Sequence, residues 1–235
     1  MIKKTSKIQE YKKFKKIALE WWKPKGKFKI LHEILPIRIE YIKSNIKKKS
    51  IENLDILDLG CGGGLTCEPL AKLKAKVTGV DFIKENIEVA KNHAKLSNLE
   101  INYMIQDLDK INIKTKYDVI LILEVIEHLD DWEKLILNIK KNLKPKGKII
   151  ISTINKNYLS KIFAIYVAEN ILKWIPKNTH DYQKLVNPKN LKEFLMKNGF
   201  AIENVTGMNF NPLANKWKLS KKNFSINYFC TATLN

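Results

Sequence analysis

The chain has 235 residues, 45% of them apolar, and a formal net charge of +19, which suits one domain with a complete core and room for an added lobe. No stretch approaches the roughly 20 apolar residues of a membrane span. The lysine-rich start, Met1 to Lys16, has neither an apolar signal core nor an Arg, which argues against a secretory signal or a transit peptide, and Cys61, Cys67 and Cys230 form no CxxC pair and read as reduced thiols.

Taken in chain order, residues 1–50 predict two helices that form an N-terminal cap. Five apolar, β-branched runs follow, at Ile56–Leu59, Lys76–Val80, Ile101–Ile105, Tyr117–Leu123 and Lys148–Thr153. They alternate with helical stretches at Leu65–Leu73, Lys84–Leu96 and Trp132–Leu143. Such alternation builds a mostly parallel sheet with helices on both faces. Lys144-Pro145-Lys146-Gly147 reads as the turn that ends the third helix. An insertion, 155–182, follows the fifth strand. In it Leu159, Ile162, Phe163, Tyr166, Val167, Ile171 and Trp174 recur at helical spacing, giving a broad apolar stripe. Lys161, Glu169 and Lys173 interrupt that stripe, so the helix does not span a bilayer; packing on the core, lidding a site and lying on a membrane surface are all open to it. A helix at Pro188–Asn198 precedes two last runs, Ala201–Val205 and Ile226–Thr233, which suit a hairpin at one sheet edge. The whole chain, 1–235, reads as a single domain.

The positive charge suits nucleic acid or anionic lipid. All but one of the 43 basic residues are lysine, however, and Lys, Ile and Asn share A/T-rich codons, so composition explains much of the bias without a partner. A nucleic-acid surface would call for arginine or interleaved aromatics. In such a chain the single arginine, Arg38, stands out, because lysine cannot reproduce a planar, bidentate fork.

The loop Asp58-Leu59-Gly60-Cys61-Gly62-Gly63-Gly64 follows the first strand and opens a helix. A dinucleotide fingerprint would need glycine at position 65, which is Leu65. The pattern is D-x-G-x-G-x-G instead. S-adenosylmethionine (SAM) carries no pyrophosphate but presents an ammonium, which Asp58 can meet, with Gly60 and Gly62 letting the backbone approach the ligand. Asp81 ends the second strand, and its two acceptor oxygens suit a pair of ribose hydroxyls; a helix N-cap is its plainer explanation. Asp107, after the third strand, is placed to accept from an adenine amino group.

The fourth strand runs into Leu123-Glu124-Val125-Ile126-Glu127-His128, at the sheet end where open α/β folds keep their chemistry. His128 is a natural general base for a phenolic hydroxyl. Alternatively, Glu124, Glu127 and His128 bind a divalent cation that makes a catechol more acidic, or the Glu-His pair orients the loop without a metal. His180-Asp181 is a further candidate pair, with a Thr179 helix cap as the bland reading. His32 and His93 read as surface or packing residues.

The chain also carries Trp21-Trp22, Leu31-His32-Glu33-Ile34-Leu35-Pro36-Ile37-Arg38, Val77-Thr78-Gly79-Val80-Asp81, Ser152-Thr153-Ile154-Asn155-Lys156-Asn157, Pro176-Lys177-Asn178-Thr179-His180-Asp181, Asn211-Pro212 and Asn227-Tyr228. In these segments, together with the glycine loop and the Glu127-His128 stretch, it resembles the ubiquinone-biosynthesis O-methyltransferase family of class I SAM-dependent methyltransferases. The resemblance implies a Rossmann-like fold with a seven-stranded, mostly parallel sheet, an N-terminal helical cap and a helical insertion. It implies SAM contacts at Arg38, Gly60, Asp81 and Leu123, and a divalent cation, magnesium, at Glu124, Glu127 and His128. The implied substrates are polyprenyl phenols and quinols, namely a 2-polyprenyl-6-hydroxyphenol and a 3-demethylubiquinol. Peripheral contact with anionic membrane lipid, company with other ubiquinone-pathway enzymes, and a cytoplasmic location peripheral to the inner membrane are implied with them. Leu123 stands where the best-known bacterial pattern has Met, and Leu35 where an Asn is usual. The competing readings are a methyltransferase for another small molecule or for tRNA, and a non-catalytic SAM- or lipid-binding scaffold.

Overall fold

The computed structural model describes residues 11–235 apart from 13, 47–49, 158, 161–181, 212–213 and 215. Five strands run parallel at its centre: β1 (Asp55–Leu59), β2 (Lys76–Asp81), β3 (Asn102–Ile105), β4 (Tyr117–Leu123) and β5 (Leu143–Ile154), in the spatial order β3-β2-β1-β4-β5. Beyond β5 lie β8 (Asn227–Leu234), β6 (Phe200–Asn211) and β7 (Lys216–Ser220), each antiparallel to its neighbour.

Side chains alternate across the sheet. Ile56, Val119, Leu121 and Ile150 enter one core; Leu57, Leu59, Ile120, Ile122, Ile149 and Ile151 enter the other. Both faces are covered, so these strands read as continuous apolar runs rather than as alternating ones. The first face carries α1 (Lys29–Asn45), α2 (Cys67–Lys72) and α3 (Lys84–Leu96); the second carries α4 (Trp132–Lys140) and α5 (Pro188–Lys197). Asp131 caps α4 by accepting the Lys134 N–H at 2.9 Å, and Asn187 caps α5, with Pro188 in its first turn. Residues 14–17 are helical and lead through the turn Ala18–Glu20 to Trp21 and Trp22.

Several expectations shift. The sheet has eight strands rather than seven, because Lys216–Ser220 adds β7 along Gly207–Asn211. Trp217 and Leu219 of β7 pack towards α1, while Lys216 and Lys218 stay exposed, as suits an edge. The expected edge hairpin is corrected with it: β6 and β8 do pair, but β8 lies inside the sheet, between β5 and β6. α2 starts at Cys67, after the glycine loop has turned, and α4 stops at Lys140, where Asn142 faces inward to donate to the Ile113 and Thr115 carbonyls. Lys144–Gly147 bulges out of β5: Tyr117 pairs with Leu143, but Val119 pairs with Lys148. Beyond Leu159 and Ser160, the inserted apolar stripe and the His180-Asp181 pair lie outside the described residues. Among the described residues no helix is long and apolar enough to cross a membrane.

Candidate active site

A cleft of about 320 Å³ opens at the carboxyl ends of β1, β2 and β4, under a roof made by the N-terminal segment and α1. Its floor begins with the glycine loop. The Gly60 and Cys61 N–H groups both donate to the Val80 carbonyl, at 2.7 and 3.0 Å, which ties the loop to the end of β2. Gly60 and Gly62 have φ of 74° and 54°, and a Cβ would meet Val125 at 2.5 Å and the Trp21 ring at 2.3 Å respectively. Only glycine satisfies both the backbone and the space.

Three expected cofactor residues converge here. Asp81 is 7% exposed and accepts from the Gly62 N–H at 3.0 Å and the Ile83 N–H at 2.8 Å. It is not a helix cap, since Ile83 holds that position in α3. Burial pushes its carboxyl up to about 6, against the lowering effect of those hydrogen bonds. Asp58 is equally buried and accepts from the Cys67 thiol at 3.3 Å; burial pushes it up to about 6 as well, opposed by Cys67 and by the Arg38 charge. Arg38 projects from α1 into the cleft, 5% exposed, with NH2 4.0 Å from Glu124 Oε1. Its Nε and NH2 groups have no hydrogen-bond partner. Burial holds the guanidinium below its usual range, and the facing carboxylates of Glu124, Asp58 and Glu127 pull the other way. Unmatched donors of this kind, buried in a cleft beside a glycine loop, fit the carboxylate of an amino-acid moiety. Leu123 and Asp107 also line the cleft, and Asp107 at the same time caps the turn Leu108–Lys110 by accepting the Asp109 N–H.

His128, half-buried at the end of the turn Ile126–His128, lines the cleft too. Of the proposed metal partners, Glu124 and Glu127 bring their carboxyl groups within hydrogen-bonding reach of each other. Glu124, at a φ of 56°, turns into the cleft, where its oxygens accept from Ser152 Oγ at 2.7 Å and Asn227 Nδ2 at 3.0 Å. Glu127 is not a lining residue; it is 3% exposed, accepts from Thr153 Oγ1 at 2.8 Å, and is held well above the usual carboxylate range by burial and by Glu124. Among the described residues no group of three or more His, Cys, Asp or Glu side chains gathers as a metal site. Glu124 and Glu127 thus pair with each other, but with His128 they do not make a three-residue metal site in this arrangement.

Sequence reasoning missed most of the roof. Trp21 donates to Asn86 Oδ1 at 2.8 Å and stacks on Phe28 at 3.7 Å, over Gly62 and Gly63. Trp22 donates to the Gly63 carbonyl at 2.9 Å and stacks on His93 at 3.4 Å. His93 in turn meets the buried Glu68 at 2.6 Å, and His32 reaches the Trp21 carbonyl at 2.8 Å. Both histidines are thus packing residues, as expected, but what they pack is the lid of the glycine loop. The adjacent tryptophans were the available signal; their partners, 41 and 65 residues away, were not.

A parallel sheet extended by antiparallel strands, with a glycine cradle, two buried acids and an arginine at its carboxyl end, defines a class I SAM-dependent methyltransferase. A family model described as a methyltransferase domain matches residues 31–205. The chain is 47% identical over 228 residues to a ubiquinone biosynthesis O-methyltransferase of Pelagibacter ubique, covering 94% of this chain and 95% of that protein. It is 45% identical to the protein of the same name from Rickettsia typhi, covering 94% and 90%. The chain belongs to the ubiquinone biosynthesis O-methyltransferase family. Among solved structures, the SAH-bound magnesium protoporphyrin IX methyltransferase of Synechocystis shares the fold with a TM-score of 0.63 at 20% identity, covering 86% of this chain and 82% of that one.

Proposed function

We propose that the protein O-methylates ring hydroxyls of polyprenyl catechol intermediates, a 2-polyprenyl-6-hydroxyphenol and a 3-demethylubiquinol, in ubiquinone biosynthesis. The observation that carries the cofactor half is Arg38, a buried cation with unmatched donors beside the glycine loop. The acceptor half rests on kinship, and on the apolar walls that Phe14, Ile30, Leu31, Ile34, Met208 and Ile226 give the cleft.

SAM, when bound, supplies an electrophilic methyl on its sulfonium. Arg38 takes the carboxylate of its amino-acid moiety, Asp58 its ammonium and Asp81 its ribose hydroxyls, while Leu123 and Asp107 serve the adenine. The glycine loop lets the backbone come close without a side chain in the way. His128 removes the proton from the attacking ring hydroxyl. Holding the hydroxyl in line with the methyl supplies a large share of the acceleration, on the order of 7–11 kcal/mol in favourable cases. The metal reading contributes no step, since Glu124 and Glu127 pair with each other but do not form a group of three with His128. The isoprenoid tail places the substrate in a bilayer, so the protein works at the surface of the inner membrane, drawn there by its lysines and by the segment 155–182.

The test is methyl transfer from SAM to a short-chain catechol, followed by mass spectrometry for wild type and His128→Ala. We expect a singly methylated product from wild type, and a rate for His128→Ala lowered roughly 100-fold or more at neutral pH. SAM binding by calorimetry without any transfer to the catechol would overturn the reading; full activity in His128→Ala would remove the proposed base.

A further inference from the structure

We propose that Trp217 is a specificity-determining residue for the acceptor, its indole N–H hydrogen-bonding a ring oxygen substituent beyond the two catechol hydroxyls. This rests on the reading that the protein methylates an aromatic ring hydroxyl.

Among the described residues lining the cleft, two side chains hold buried nitrogen donors with no hydrogen-bond partner: Arg38, through Nε and NH2, and Trp217, through Nε1. They come from different parts of the fold. Arg38 stands over the loops of β1 and β4, beside Glu124 and the cofactor acids. Trp217 comes from β7, separated from β1 in the sheet by β4, β5, β8 and β6. With SAM held by the loop after β1 and the end of β2, the unpartnered donor on β7 lies on a part of the cleft wall left for the acceptor.

The surroundings of Trp217 fit that use. Its ring lies 5.4 Å from Phe210 on β6, which fixes the indole plane, and Met208 and Ile226 line the same cleft. Asn227, the neighbouring polar lining residue, already donates to Glu124. An indole N–H only donates, so it selects an ether, carbonyl or hydroxyl oxygen and gains nothing from hydrogen or methyl at that ring position. A buried donor without a partner is costly, and a ligand that satisfies it is favoured over the analogue that cannot. The strand that carries Trp217 is the one that takes the sheet from seven strands to eight, so it is this added strand that brings Trp217 into the wall of the cleft.

The experiment compares wild type with Trp217→Phe, which keeps an aromatic ring against Phe210 and removes the donor. Two short-tailed acceptors are used: a catechol with no further ring oxygen, and its methoxy-bearing counterpart. We expect Trp217→Phe to raise KM for the methoxy-bearing acceptor roughly 5- to 10-fold, with kcat, the KM of the plain catechol and the SAM Kd unchanged. An unchanged KM for the methoxy-bearing acceptor overturns the inference. So does an equal rise for both acceptors, or a rise in SAM Kd, since either marks Trp217 as packing. A second measurement needs no variant: in ¹⁵N-labelled wild type, the methoxy-bearing acceptor should shift an indole N–H resonance that the plain catechol and S-adenosylhomocysteine leave in place, and no such resonance overturns the assignment. Wild type that methylates neither acceptor overturns the functional reading and this inference together; wild type that methylates both, without a difference in Trp217→Phe, overturns this inference alone.

Discussion

Arg38 is the only arginine in the chain, and it is spent on a position where lysine cannot serve. Its buried guanidinium is paired in charge with Glu124, yet two of its donor nitrogens have no hydrogen-bond partner, which a ligand carboxylate can satisfy. Arg38→Lys keeps the charge and loses the fork; calorimetry should show SAM Kd rising roughly 10- to 100-fold, the range for a lost charge-assisted pair. Asp58 and Asp81 give the site a pH dependence. Both are raised from 3.8 to about 6 in the ligand-free fold, chiefly by burial. Below about 6 they hold protons and lose their charge, so SAM affinity should fall as pH drops, by roughly tenfold per unit for each carboxylate. Folding stability runs the other way. Well below 3.8 both states are protonated; between 3.8 and about 6 the folded form keeps a proton that the unfolded chain has released. Stability from these groups is therefore present at low pH and is lost as pH rises through the folded value, by up to about 3 kcal/mol per group. Melting curves of ligand-free Asp58→Asn across this window should show a flatter pH dependence than wild type; an identical one would mean Asp58 does not carry the shift.

At the scale of elements, the N-terminal segment acts as a clasp over the glycine loop. Trp22 holds the Gly63 carbonyl and lies flat on His93, which Glu68 fixes from below. Trp22→Leu removes the hydrogen bond and the stack but leaves the sheet untouched. SAM Kd should rise roughly 5- to 10-fold, while the global melting transition stays near that of wild type; a large fall in melting temperature would show that the clasp is part of the core instead. How much of this was legible follows from the range of the forces involved. Lys84–Leu96 and Tyr117–Leu123 form the elements their own patterns announce, because the periodicity of each is local. The glycine loop, Asp81 and Arg38 were legible for the same reason, as short motifs or as a compositional exception. β7 was not: it has five residues, two of them lysine, and becomes a strand only because β6 is there to pair with it. The Glu124, Glu127 and His128 spacing said less than the motifs did: a left-handed φ at Glu124 and a tight turn pair the two carboxyl groups, with Glu127 also accepting from Thr153, while His128 lines the cleft. Sequence spacing gives proximity along the chain, not direction.

For the whole molecule, the net charge of +19 bears on the membrane contact proposed above. Whatever the origin of the lysines, physics acts on their charge. Under that proposal the tail holds the polyprenyl catechol in the bilayer, and the enzyme works at that surface. Each lysine near an anionic membrane contributes about 1 kcal/mol, within a Debye length of about 8 Å at physiological salt. Attraction of this kind needs no spanning helix, and among the described residues there is none. Co-sedimentation with vesicles separates the contributions. Binding should be strong to vesicles rich in phosphatidylglycerol, weak to phosphatidylcholine alone, and should fall steeply as salt shortens the screening length. Deleting residues 158–174 should weaken what remains at high salt, where only apolar contact persists. Equal binding to neutral and anionic vesicles would remove charge from the account and leave the apolar stripe as the sole anchor, whereas salt-sensitive binding that survives the deletion intact would assign the attraction to the lysines of the core.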